Sequence, residues 1–167
     1  MEVMDFTQPI FTGRTLLWYS KKKYPKGIGW NSIEDLIPYK IVMLQHSAMG
    51  QPLIDKQKNG VPLVIYGVES HVKQFQMILH PDRYDIAPLT EIVGYHFLRK
   101  YGWEEQIASM AKPLSSEDQY YMAFSKKSPA RKLIPKINAV IEEMKKSGLI
   151  DNLIQSKKKP KKIGLIR

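Results

Sequence analysis

Cysteine is absent from the sequence. Disulfides, thiol catalysis and Cys-based zinc sites are thereby excluded. There is no apolar run of about 18 residues, and so no candidate transmembrane helix. Residues 1–11 lack the basic segment and apolar stretch of a secretory leader, so the protein is expected either to be cytoplasmic or to lack its leader in this sequence. No P-loop, G-x-G-x-x-G fingerprint or G-x-S-x-G elbow occurs. Histidine is scarce. His46, His71, His80 and His96 have no metal-ligand spacing, and each reads as a surface or half-buried side chain. Ser47 follows His46, but neighbouring residues point in different directions, so no catalytic triad is evident. No cofactor and no bound metal are expected.

What is present is ordinary for a globular chain. Of the 167 residues, 43% are hydrophobic and 25% charged. The net charge is +10, which raises the question of nucleic acid. Its location argues against that partner. Residues 156–167 hold six basic side chains and no acidic one, while the remainder holds 20 basic against 16 acidic. A terminal lysine run reads as a solvated, disordered tail. Nucleic acid is not an expected partner.

Along the chain the elements alternate in type, which points to an α/β domain. Residues 15–20 (TLLWYS) read as a strand, and residues 21–31, with Pro25, Gly27 and Gly29, as a loop. Ser32 is placed to cap a short helical turn. Residues 39–45 are apolar almost throughout, as in a strand buried on both faces. They run through His46, Ser47, Ala48, Met49 and Gly50 into a helix. Residues 61–66 form the next strand, and Ser70 caps a helix with Val72, Phe75, Ile78 and Leu79 on one face. The tripeptide at residues 80–82 (HPD) also marks the loop of J-domain co-chaperones. The context is wrong for one, with a single lysine in the preceding helix and a strand expected after it.

Residues 84–87 read as a strand, with Pro88 and Thr90 opening a helix. Residues 107–111 are a weaker strand and 119–124 a strong one. Ser128 and Pro129 start a helix whose residues Leu133, Ile134, Ile137, Val140, Ile141 and Met144 make one stripe. Gly148 ends it, and a last apolar turn spans 149–154. This order implies a small parallel sheet with flanking helices. Such sheets bind ligands at the carboxyl ends of their strands, beside helix N-termini. The turn after residue 45 presents a hydroxyl and backbone N–H groups suited to an anion. The same geometry also serves an ordinary N-cap.

Several segments together resemble the family-3, type-2 periplasmic solute-binding proteins of ABC transporters, best known for polar amino acids. Residues 120–129 (YYMAFSKKSP), then Leu133, Ile134, Ile137, Asn138 and residues 143–148 (EMKKSG), are similar to that family's return strand and final helix. Residues 6–11 (FTQPIF) resemble its crossover, residues 33–43 its entry to the second lobe, and residues 77–87 its "ml..gR.Da" motif. The order and spacing match over nearly all of residues 4–155.

The resemblance implies a clamshell lobe: crossover or hinge strands in 1–20, an α/β lobe in 21–117, a return strand and C-terminal helices in 118–155, and the basic tail in 156–167. It implies a fragment without the first lobe, periplasmic or extracellular, that captures a small polar or anionic solute for an ABC transporter permease without catalysis. Ser47, with the N–H groups of Ala48 and Met49, would meet an anionic part of the solute, and Thr90 or Glu91 would add a second contact. The family's hydroxyl-rich turn is here His46-Ser47-Ala48, and its acid stands here as Thr90 with Glu91 beside it. The resemblance also leaves an apolar stripe from Ile134 to Met144 exposed, as expected for self-association. A ligand-sensing domain and a dehydratase-like enzyme, using Glu91 or His46, are the alternatives on this fold.

Overall fold

In the computed structural model residues 3–80 and 82–158 are described, the side chains of Lys157 and Lys158 excepted. The strands are β1 (Met4–Phe6), β2 (Phe11–Ser20), β3 (Lys40–Leu44), β4 (Val64–Val68), β5 (Ile86–Thr90), β6 (Ile107–Ser109), β7 (Ser115–Tyr120) and β8 (Ala123–Ser125). The helices are α1 (Gln51–Lys58), α2 (His71–Leu79), α3 (Glu91–Tyr101), α4 (Ile134–Lys146) and α5 (Leu149–Lys158). The chain divides into two units, Arg14–Ser116 and the flanking stretches Met1–Gly13 and Glu117–Arg167.

The Arg14–Ser116 unit is built on a sheet of order β4-β3-β5-β2-β6. Alternation along the strands sorts the side chains onto two faces. Leu16, Trp18, Val42, Ala87 and Leu89 join Phe75 and Ile78 of α2 and Leu98 of α3 in one cluster. Leu17, Tyr19, Ile41 and Ile86 join Leu53 of α1, Leu36 and Trp30 in the other. Both faces are covered, so β3 and β5 read as continuous apolar runs.

The α/β class holds, but the sheet is mixed. β3 runs parallel to β4 and β5, while β2 is antiparallel to β5 and β6. Several strands also differ from the sequence expectation, β2 among them, which begins at Phe11 and not at residue 15. β5 continues through Pro88 to Thr90, where a helix start was expected, and β4 lies two to three residues further on. Pro88 has no N–H to give the β3 ladder. The fully buried Gln74 supplies the donor instead, its Nε2 reaching Val42 O at 3.1 Å and Pro88 O at 2.8 Å. This satisfies a proline in a buried strand and pins α2 to the sheet.

The start of β3 is held by Asp85. Its carboxylate accepts from the Lys40 N–H at 2.7 Å and the Tyr24 hydroxyl at 2.5 Å, and pairs with Lys23 Nζ at 2.6 Å. Burial pushes the Asp85 carboxyl up, but Lys23, Tyr24 and the Lys40 N–H outweigh it and hold the carboxyl below its ordinary value. At Gly94 the first turns of α3 pass over Trp18. A Cβ there would lie 2.2 Å from the buried indole, so only glycine permits this approach.

In the second unit β1 pairs antiparallel with β8, Asp5 opposite Phe124. The strand expected over 119–124 is two strands, interrupted at Tyr121 and Met122. The break has a local cause. The Met122 N–H donates to Thr7 Oγ1 at 3.1 Å, while Thr7 N–H donates to Met122 O. Phe11 stacks on Tyr120 with centroids 4.5 Å apart. Asn138 of α4 accepts from the Gln8 N–H at 2.8 Å. Ser128 caps a 3₁₀ turn over Pro129–Leu133, which leads into α4. Gly148, at φ +70°, ends α4 as expected. α5 extends to Lys158, so the basic segment begins inside a helix; residues 159–167 and Pro81 lie outside the described residues. On α4, Ile141 is buried and Val140 about half exposed, as is Leu133 in the 3₁₀ turn before it.

Candidate functional site

The candidate site belongs to the Arg14–Ser116 unit and is assembled where β3 and β5 end. β3 gives out at Leu44, after which Gln45 N–H still reaches Val68 O. His46 then adopts φ +58°, a left-handed conformation uncommon for a residue with a Cβ. It turns the chain so that Ser47 N–H reaches back to Leu44 O. Ser47 Oγ accepts from the Met49 N–H at 3.3 Å and caps the 3₁₀ turn Ala48–Gly50, which runs straight into α1. A cavity of about 620 Å³ opens beside this turn, lined by Gln45, His46, Ser47, Ala48, Gln51 and Lys58 among others, none of them acidic.

β5 ends at Thr90, which is also the N-cap residue of α3. The two turns meet: Thr90 Oγ1 lies 3.3 Å from Met49 Sδ. Glu91, the first residue of α3, is buried where the helix dipole favours a carboxylate. It is paired with Arg14. Nη2 of Arg14 donates to Glu91 Oε1 at 2.6 Å and Nε to Oε2 at 3.2 Å. The register explains the pairing. Thr15 of β2 stands opposite Thr90 of β5, so the next residues outward, Arg14 and Glu91, become cross-strand neighbours. The hydrogen bond that Arg14 donates to Glu91 raises the Arg14 pKa, against the opposing effect of burial.

Four of the five predicted residues thus join one run of contacts, with Ala48 exposed in the same turn. Ser47 Oγ holds Met49, Met49 Sδ meets Thr90, and Glu91 follows directly. Ser47 Oγ, the Met49 N–H, Thr90 Oγ1 and the Glu91 carboxylate each have a protein partner. The Met49 N–H is bonded to Ser47, and both Glu91 oxygens face Arg14. Ser47 therefore acts as the N-cap. Sequence reasoning missed Arg14. It lies just before the apolar run that marked the strand, and only the antiparallel register of β2 shows its neighbour.

The histidines do not gather. His71 Nδ1 lies 3.1 Å from Gln74 Oε1, and His96 packs edge-on against Phe97. Among the described residues no three His, Cys, Asp or Glu side chains are placed to hold a metal ion. Nor is any helix of the described residues long and apolar enough to cross a membrane.

No protein-family model and no curated protein matches the chain. Solved structures do match. An ancestral arginine-binding protein bound to arginine aligns over 92% of this chain and 63% of its own, at 21% identity and a TM-score of 0.69. An amino acid ABC transporter substrate-binding protein from Streptococcus pneumoniae, bound to L-arginine, aligns over 93% of this chain and 61% of its own, at 20% identity and a TM-score of 0.72. The GluR0 ligand-binding core from Nostoc punctiforme, in complex with L-glutamate, gives 18% identity and a TM-score of 0.66 over 94% of this chain and 66% of its own. The fold is that of the type-2 periplasmic-binding proteins. At these identities the likeness is one of fold, and the chain spans less than two thirds of the length of these structures. Within a type-2 binding-protein fold, the meeting of the β3 and β5 turns falls at the carboxyl ends of parallel strands, where open α/β sheets take their ligands.

Proposed function

We propose that this chain is a solute-binding lobe that closes on a small polar solute without transforming it. Fold alone does not assign function, so the reading rests on the site. The observation that carries it is the convergence of the two strand-to-helix turns, with Thr90 Oγ1 3.3 Å from Met49 Sδ. Ser47 shapes the first turn and turns its hydroxyl proton toward the solute, Ala48 N–H lies at the helix start, and Thr90 supplies the second side, where Glu91 is held by Arg14. The solved structures of like fold hold arginine or glutamate, so polar amino acids are the first solutes to test. An ABC transporter permease as partner and an extracytoplasmic location follow from the same reading.

The test is calorimetric titration of the full-length protein with L-arginine, L-lysine and L-glutamate, repeated for Ser47→Ala and Thr90→Ala. Each substitution is expected to weaken binding about fivefold or more, the value of one lost hydrogen bond of about 1 kcal/mol. Unchanged affinity in both variants would remove these residues from the site.

A further inference from the structure

We infer that Arg14 is the residue that meets the anionic group of the solute, and that Glu91 is a positioning residue that holds the guanidinium in place. This deepens the solute-binding reading and rests on it. The two partners are unequally placed. The Arg14 side chain is 46% exposed and the Glu91 side chain 8%. The carboxylate is the inner member of the pair and the guanidinium the outer one, so a solute arriving from solvent meets the cation.

The pairing leaves Arg14 equipped for this. Two N–H groups, on Nε and Nη2, are directed at Glu91. Among the described residues the remaining donors of the planar fork meet no acceptor, and the fork matches a carboxylate in a two-point contact. A long side chain normally loses rotamer freedom when it grips a ligand. Here that freedom is already restricted by the carboxylate behind it, whose own place is fixed by the Thr15–Thr90 register and the start of α3. Parting from Arg14 would cost Glu91 two charge-assisted hydrogen bonds, at 2.6 and 3.2 Å. A cationic group aimed at Glu91 would have to displace the guanidinium or lie beside a like charge. Glu91 is thus a poor contact for an ammonium group, and the charge presented to the solute is positive.

The experiment is calorimetric titration with L-arginine, L-lysine and L-glutamate into the full-length wild type, Glu91→Gln, and the double variant Arg14→Gln/Glu91→Gln. The double variant is used because Arg14→Gln alone would remove the two hydrogen bonds that Glu91 accepts from Arg14 while keeping its buried negative charge. For the solute that binds wild type most tightly, the double variant is expected to lose about 10- to 150-fold in affinity, the range for charge-assisted hydrogen bonds. Glu91→Gln should lose about fivefold or less, and Arg14→Lys, which keeps the charge but not the fork, should fall between. Raising the salt concentration should weaken wild-type binding and leave the double variant unaffected. A loss in Glu91→Gln equal to that of the double variant would make Glu91 the contact and overturn the assignment. So would a double variant that binds like wild type. If none of the three solutes binds wild type, the solute-binding reading falls and this inference with it.

Discussion

The two units handle the same amphipathic patterning with different results. In the Arg14–Ser116 unit, apolar side chains on both faces of the sheet are buried, and Leu17, Trp18, Ile41, Val42, Phe75 and Ile86 have no exposed surface. In the other unit only Ile141 and Ile150 are buried among the described apolar residues, while Phe6, Leu133, Val140, Leu149 and Leu153 remain 45% to 59% exposed. A sheet sandwiched between helices encloses its own core. A two-stranded ribbon with a pair of helices has too few layers to do so. Stability therefore resides in the first unit, and the second carries an apolar surface.

The largest test of this contrast is Phe75→Ala. Phe75 is fully buried and packs edge-on against Trp18, Phe97 and Trp103. Its removal should cost about 3–5 kcal/mol in chemical unfolding. A loss under about 1 kcal/mol would mean that the sheet core is not the main source of stability.

Asp85→Asn should cost about 2–3 kcal/mol, since it removes the charge paired with the partly exposed Lys23 and weakens the contacts to Tyr24 and Lys40. The sign of its pH dependence follows from the lowered carboxyl pKa. Its stabilising contribution is complete above the ordinary Asp value of about 3.9 and is lost as pH falls from there through the lowered folded value. Urea midpoints measured between neutral and strongly acidic pH should therefore fall more steeply for wild type than for the variant.

Gly94→Ala should cost about 1–3 kcal/mol, because the new methyl meets an indole that has no room to move. Thermal melting reads it directly, and a neutral outcome would show that α3 can lift from the sheet. The smallest effect is expected in the second unit. Val140 is 54% exposed, so Val140→Lys should change unfolding free energy by no more than about 0.5 kcal/mol. A large loss there would place Val140 in a covered core and erase the contrast between the units.

Much of the fold is legible in the chain because burial on two faces leaves a strong pattern. Residues 41–43 and 86–89 are apolar regardless of face, and α2, α3 and α4 carry stripes at helical spacing. The caps at Ser70 and Ser128 and the stop at Gly148 were readable from residue type, since each depends on one side chain or one φ value. The path of β5 was not. Proline after a short apolar run signals a helix start, and its tolerance in the strand depends on Gln74, fourteen residues away, donating to the carbonyls beside it.

The site divides in the same way. The turn at Ser47, Ala48 and Met49 is legible as a strand followed by a cap, a local signal, whereas Thr90 and Glu91 are expected as contacts only through the family resemblance. Their relations are not legible. That Met49 meets Thr90, and that Glu91 is held by an arginine 77 positions earlier, depends on the register between β2 and β5. Local interactions act over a few residues and are written in neighbouring side chains. Strand order and direction are set by how the whole apolar surface can be buried at once. For this protein the first kind of constraint yields the α/β class and the list of polar residues at the strand ends. The second yields the mixed sheet and places Arg14 beside Glu91, with its guanidinium as the more exposed charge of the pair.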